Sequence, residues 1–183
     1  MKNLVIAKRY AKALFNIALQ EAKIEQYGQE LGQLLQLFKE LPDVAEAMQN
    51  PLHPEATRKL LFKVVADKAG PTPIFRSFVN LLIEKKRVQH LAEIAEYYNK
   101  LIDEHANVAR AKITAATQLS ENVIGEIAKT LEKMTGKKVV VEFVKDPGLI
   151  GGVVAQIGDL VLDGSVRRQL INFKETLKRG ALG

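Results

Sequence analysis

Three histidines, His53, His90 and His105, are the side chains of this chain best suited to shuttle a proton or hold a metal, and their spacing serves neither purpose. They are far apart in sequence, and no HExxH run sets two of them on one helical face. They read as surface or capping residues. The chain has no cysteine, which removes disulfides, thiolate metal sites and cysteine nucleophiles together. No GxSxG turn presents a serine for acyl transfer. Asp103 and Glu104 stand side by side at a helix end, a commonplace solvated position.

The glycines are the next candidates. Gly148-Leu149-Ile150-Gly151-Gly152 looks loosely like a dinucleotide fingerprint. A phosphate loop must follow a strand and open a helix, so that backbone N–H groups and the helix dipole meet the anion. Here the glycines lead into a strand. Gly136-Lys137-Lys138 lacks the upstream glycine and the following Ser or Thr of a Walker loop. The sequence therefore reads as non-catalytic, with no cofactor and no metal. The Gly151-Gly152 pair still asks for a reason. Glycine weakens a strand by up to about 1 kcal/mol relative to alanine, so the site needs unusual backbone angles, a close approach or a β-bulge.

The elements around these residues fall into two groups. Residues 1–105 carry apolar side chains at helical spacing throughout. Ile6, Tyr10, Leu14 and Ile17 form one row, with Ala7, Ala11, Phe15 and Ala18 beside it. Ile24 to Leu41 continues the pattern until Pro42, and Asp43 is placed to cap a short helix through Gln49. Two prolines, Pro51 and Pro54, mark a rigid turn. Glu55–Ala69 restarts a helix with Leu60, Leu61, Val64 and Val65 expected inward, and Gly70-Pro71 stops it. Thr72 and Pro73 suit the start of the next helix, which is apolar on nearly every side between Ile74 and Ile83. Such a helix is either central in its domain or covered by a partner. A last helix is expected from about Val88 to His105.

Residues 106–183 change period. Val108–Ala115 alternates, with Ala109, Ala111, Ile113 and Ala115 on one side and Arg110, Lys112 and Thr114 on the other. Ser120 is expected to cap a helix whose Val123, Ile124, Ile127, Ala128, Leu131 and Met134 face inward. Val139–Val144 reads as a strand, and Gly152–Ile157 with Leu160–Leu162 as a pair around Gly158-Asp159. Ser165 caps a closing helix with Val166, Leu170, Phe173 and Leu177 on one stripe. The expected fold class is multidomain α + α/β: a six-helix bundle over 1–105, then a small α/β domain over 106–183.

A hydrophobic fraction of 47% against 26% charged residues is enough to bury a core, so global disorder is not expected. The net charge of +6 divides as 15 − 13 = +2 over 1–105 and 12 − 8 = +4 over 106–183. The excess is spread, giving at most a pull towards acidic partners or anionic lipid. Nucleic-acid binding is not expected, because the strands offer only Phe143 for base stacking. After Met1-Lys2-Asn3 only four apolar residues precede Lys8-Arg9, too few for a signal-peptide core. The run Val79–Ile83, with Asn80 inside it, is far too short to span a membrane. What remains is surface for partners. The apolar helix around Phe75–Ile83 and the small residues Ala7, Ala11, Ala13 and Ala18 of the first helix suit either intradomain packing or a docking groove for another helix.

Two segments carry a resemblance. One is Ala7-Lys8-Arg9-Tyr10-Ala11-Lys12-Ala13-Leu14-Phe15. The other is Asp146-Pro147-Gly148-Leu149-Ile150-Gly151-Gly152-Val153, continuing through Ile157-Gly158-Asp159 to Asp163-Gly164-Ser165-Val166-Arg167-Arg168-Gln169-Leu170. Together they closely resemble the delta-subunit family of the bacterial F-type ATP synthase, which corresponds to the mitochondrial oligomycin-sensitivity conferral protein. Asn50-Pro51 and Leu82-Ile83-Glu84-Lys85-Lys86-Arg87 look like that family too. The resemblance implies a non-catalytic stator subunit of the peripheral stalk, lodged in the whole ATP synthase complex and resisting rotor torque while proton or sodium transport drives ATP synthesis. It implies a helical front domain that takes up N-terminal helices of alpha subunits, and a back domain that meets the C-terminal end of the b subunit. Carried onto this chain, the residues implied to meet alpha subunits are Ala7, Tyr10, Ala11, Leu14, Phe75, Phe78, Val79 and Leu82. The matching C-terminal motif, Gly151, Gly152, Asp163 and Gly164, is either structural or stalk-facing. The implied location is peripheral, on the cytoplasmic side of a bacterial cell membrane, with no direct membrane span.

Overall fold

The computed structural model describes residues 4–158 and 160–180, and of residues 174–180 the backbone alone. The expectations resting on Met1-Lys2-Asn3, on Asp159 and on the side chain of Leu177 lie outside the described residues. The chain divides into two compact units, Met1–Ile102 and Asp103–Gly183. It is mostly helical, with a small four-stranded mixed sheet in the second unit.

In the first unit, helices α1 (Leu4–Gln20), α2 (Ile24–Glu40), α3 (Pro42–Gln49), α4 (Glu55–Ala69) and α5 (Pro73–Glu84) follow one another on short turns. A single 3-10 turn, Val88–His90, then leads into α6 (Leu91–His105). The turns have local causes. Gly70 caps α4 in the left-handed region at φ 63°, where glycine carries no Cβ penalty. The Thr72 hydroxyl accepts from Phe75 N at 3.4 Å, and Pro73 takes the first helical position of α5.

The core of this unit gathers Ala7, Ala11, Leu14, Tyr27, Leu31, Met48, Phe62, Val79, Leu82, Ile94 and Tyr98, among others. Its polar atoms are mostly accounted for. Tyr98 Oη donates to Ile24 O at 2.9 Å, and Tyr27 Oη donates to Glu21. Burial, reinforced by the Glu21 carboxylate, pushes the Tyr27 hydroxyl up to about 12. The buried Glu30 accepts from both Thr72 N, at 3.0 Å, and Thr72 Oγ1, at 2.9 Å, tying α2 to the start of α5.

In the second unit, β1 (Val108–Ala115), α7 (Glu121–Thr135) and β2 (Lys138–Lys145) form a crossover, so β1 and β2 pair in parallel. β3 (Val153–Ile157) and β4 (Leu160–Asp163) add antiparallel neighbours, giving the order β2-β1-β3-β4. Helix α8 (Val166–Gly180) closes the chain. One sheet face buries Ala111, Ile113, Val139 and Ala155 with Leu131 of α7. On the other face, Arg110, Lys112, Val140, Glu142, Gln156 and Val161 are exposed. Period-two alternation in β1 produces this division directly.

Several expectations are corrected. Asp43 lies inside the first turn of α3 rather than capping it, because Pro42 already occupies the first helical position. There its charge complements the helix dipole. Ser120 stands at the N-cap of α7 with extended backbone but makes no side-chain capping bond. Leu60 and Val64 of α4 are 62% and 55% exposed, because Arg58, Phe62 and Ala66 take the inward row. Val123 and Met134 of α7 are exposed, and of its apolar residues Leu131 alone is fully buried. Leu131 packs on the buried sheet face with the partly buried Ile127 beside it, and Val123 and Met134 lie outside that cluster.

Candidate partner-docking surfaces

The small side chains of Ala7, Ala11 and Ala18 face inward on α1 and let the helix approach its neighbours closely. Leu14 and Phe15 extend that buried row. On α5 the inward residues are Phe75, Phe78, Val79, Leu82 and Ile83. Of the eight residues singled out from sequence, seven are therefore core: Ala7, Ala11, Leu14, Phe75, Phe78, Val79 and Leu82. Tyr10 alone is half-buried.

Tyr10 also joins the two helices. Its ring meets Phe78 edge-on, with centroids 6.4 Å apart and planes at 68°. Phe78 in turn lies 6.3 Å from Phe75. Around this contact each helix carries a partly exposed apolar row. On α1 it is Ile6, Tyr10, Ala13 and Ile17, at steps of four, three and four. On α5 it is Ile74 and Leu81, seven residues apart, on either side of the buried Phe78. Such steps keep side chains on one helical face. Ile6, Ala13, Ile17, Ile74 and Leu81 were absent from the sequence-derived set. On α1 the signal that could have found Ile6 and Ile17 is angular, since they flank the row Ala7, Ala11 and Ala18; on α5 the sequence carries no such signal. On the opposite side of α1, Lys8 stands over the Tyr97 ring of α6, 5.7 Å from its centroid.

The glycine motif has a different geometry. Gly152 adopts φ +85°, and a Cβ there would stand 2.4 Å from Gly164 O and 2.8 Å from Ser165 Cα. A Cβ on Gly151 would press on Val166 Cγ2 at 3.2 Å, and one on Gly164 would meet Val153 O at the same distance. Two backbone bonds fasten the crossing: Gly164 N donates to Val153 O at 2.9 Å and Val166 N to Gly151 O at 3.0 Å. Asp163 Oδ1 accepts from Ser165 N at 3.0 Å, and Ser165 Oγ accepts from Arg168 N at 3.2 Å, capping α8. Hydrogen bonds from the Ser165 side chain, then its backbone, hold the Asp163 carboxyl below the usual carboxylate range. All four motif residues thus form a clasp that roots α8 on the start of β3. Beyond the clasp, Val166, Leu170, Ile171 and Phe173 of α8 are exposed.

Nothing among the described residues assembles a reaction centre. His53 lies in the turn before α4, His90 in the 3-10 turn and His105 at the end of α6. No three His, Asp or Glu side chains among the described residues gather to hold a metal. No described helix is long and apolar enough to cross a membrane.

Comparison with known proteins gives one consistent result. The family model described as ATP synthase delta (OSCP) subunit matches residues 6–177. The ATP synthase subunit delta of Syntrophobacter fumaroxidans is 68% identical over 183 residues, all of both chains. That of Desulfosudis oleivorans is 44% identical over 180 residues, 98% of each chain. A chain in the cryo-EM structure of the Toxoplasma gondii mitochondrial ATP synthase hexamer shares the fold, with a TM-score of 0.66 over 93% of this chain and 96% of that one, at 20% identity.

Proposed function

The chain belongs to the ATP synthase delta (OSCP) subunit family, and from that premise we propose that its two units are two separate grips, one on the catalytic head and one on the stalk. Membership makes the protein a structural, non-catalytic part of the F-type ATP synthase and a component of its peripheral stalk. It associates peripherally with the membrane complex, and no described helix spans a membrane.

In this reading the front unit takes up N-terminal helices of alpha subunits between α1 and α5. The observation that carries it is the Tyr10–Phe78 contact, flanked by the partly exposed Ile6, Ala13 and Ile17 of α1 and Ile74 and Leu81 of α5. An amphipathic helix laid along them would bury anchors at every third or fourth position. The buried residues Ala7, Ala11, Leu14, Phe75, Val79 and Leu82 act from beneath, fixing the two helices at the spacing the groove requires. The back unit takes the C-terminal end of the b subunit, and the glycine clasp sets the direction of α8 for that contact.

The work is mechanical. A rotor turning inside the head drags on it, and a stalk that holds the head still converts proton or sodium flow into ATP synthesis. Such a part needs affinity and stiffness, and it works with no shifted catalytic pKa. Its place is the cytoplasmic side of a bacterial cell membrane, above the membrane sector. The test is calorimetry of the full chain with a synthetic peptide copying the N-terminal helix of the alpha subunit. Saturable binding that Leu81→Asp weakens supports the reading, and absence of any heat at high peptide concentration removes it.

A further inference from the structure

We propose that α8 is one half of a coiled-coil-type seam whose other half is an amphipathic partner helix with acidic residues beside its apolar row. The inference rests on the reading that the back unit grips the end of the b subunit, and it specifies how that end is recognised. Val166, Leu170 and Phe173 follow one another at steps of four and three on an element that is helical to Gly180. Leu170 and Phe173 are 58% and 63% exposed. The sequence adds a further step of four, to Leu177. Alternating steps of four and three average about 3.5 residues, the repeat of a heptad seam, with Leu170 at position a and Val166 and Phe173 at d.

The seam is narrow. Arg167 lies on one side of it and Gln169 on the other. A strict a/d row is narrower than the stripe a helix uses to pack on a globular core. Ile171 is exposed too, but it sits about 100° round the helix from Leu170 and outside the row. A helix lying in a membrane interface buries a broad apolar face, so the narrow row favours a partner helix over lipid.

Charge narrows the partner further. The e positions beside the seam are Arg167 and Lys174, and the g positions are Gln169 and Thr176. Over the whole helix, five basic residues and one acidic residue give 5 − 1 = +4. A second copy of α8 is a poor fit. Antiparallel pairing would set the basic e positions against each other, and parallel pairing would set them against uncharged Gln169 and Thr176. A partner with Glu or Asp flanking its own a/d row supplies what is missing. The clasp adds preorganisation. Ser165 is buried beneath the first turn, and Gly152 abuts Gly164 and Ser165, so the direction of the helix is set before the partner arrives.

The test uses the full-length protein and a purified soluble segment from the C-terminal end of the same organism's b subunit. Affinity is measured for wild type and for Leu170→Asp, Phe173→Asp, the milder Leu170→Ala, and Arg167→Glu. Circular dichroism and melting curves check that each variant stays folded. The expected result is at least a tenfold loss for each seam aspartate, about 1.4 kcal/mol, with a smaller loss for Leu170→Ala. Arg167→Glu should weaken binding and flatten its salt dependence. If the segment binds wild type and every variant alike, the seam is wrong while the reading of the back unit as the stalk grip stands. If it does not bind wild type at all, that reading falls and the seam with it. Uptake of the protein onto phosphatidylcholine–phosphatidylglycerol vesicles through Leu170 and Phe173, with binding of the b segment indifferent to both, would assign the row to lipid and overturn the proposal.

Discussion

Gly152 and Gly164 meet so closely that a methyl group on the first would lie 2.4 Å from the carbonyl oxygen of the second. Gly152 has no room for any other residue without moving backbone, a Cβ on Gly164 would be tight against Val153 O at 3.2 Å, and the φ of +85° at Gly152 adds a conformational penalty for an L side chain. Gly152→Ala should therefore cost more than about 2 kcal/mol through strain and displaced backbone combined. Gly158→Ala is the control. That glycine also has positive φ, at +54°, but nothing lies within 4 Å of its would-be Cβ. It should cost only about 1 kcal/mol. Urea titration of both variants of the full chain checks the difference.

Asp163 gives the clasp a pH dependence. Its hydrogen bonds with Ser165 lower its folded pKa beneath the unfolded value of about 3.9. A depressed carboxylate contributes stability above its unfolded pKa and loses it as pH falls through the folded one. Stability should thus decline on acidification below about pH 4. Asp163→Asn should be somewhat less stable at neutral pH and should show a shallower acid decline, read from denaturant midpoints across the range.

Within the first unit, Glu30 is a buried polar residue whose loss should lower stability. It accepts from Thr72 through both carboxylate oxygens, at 3.0 and 2.9 Å, where the start of α5 meets α2. Glu30→Ala leaves the Thr72 amide and hydroxyl without their acceptor and should cost about 1–3 kcal/mol. Thermal unfolding of the variant checks this. A melting curve unchanged from wild type would show that water replaces the carboxylate at no loss.

Surface and core on α1 and α5 should separate cleanly under substitution. Val79 is fully buried, so Val79→Asp should unfold the front unit and says nothing about docking. Ile17 and Leu81 are partly exposed, so Ile17→Asp and Leu81→Asp should leave the melting curve near wild type. Both should still weaken binding of the alpha peptide by at least about tenfold, the cost of losing one apolar anchor. Circular dichroism and calorimetry on the same preparations distinguish the two classes.

The contrast between Val79 and Leu81 shows where the sequence was legible. Helical period, Gly70 as a cap, Thr72 and Ser165 at helix starts, and the alternation of β1 all follow from local chemistry, and the structure carries them. Burial within an apolar helix depends on which neighbours arrive. Nothing in the run from Ile74 to Ile83 marks Val79 as covered and Leu81 as open. For the same reason Leu60 and Val64 were expected inward and turned out, while the charged Arg58 turned in. The glycine motif was visible as a demand for special backbone. Its reason became clear only once β3 and the start of α8 were seen to cross there.

The central claim is that one chain holds two partners through separate units. The most direct measurement is sedimentation of the full-length protein with two ligands, singly and together: the peptide copying the alpha N-terminal helix, and the segment from the C-terminal end of b. The account predicts a ternary complex. In it, Leu81→Asp removes the peptide and leaves the b segment bound, while Phe173→Asp does the reverse. Competition between the two ligands, or loss of both from either substitution, would contradict it.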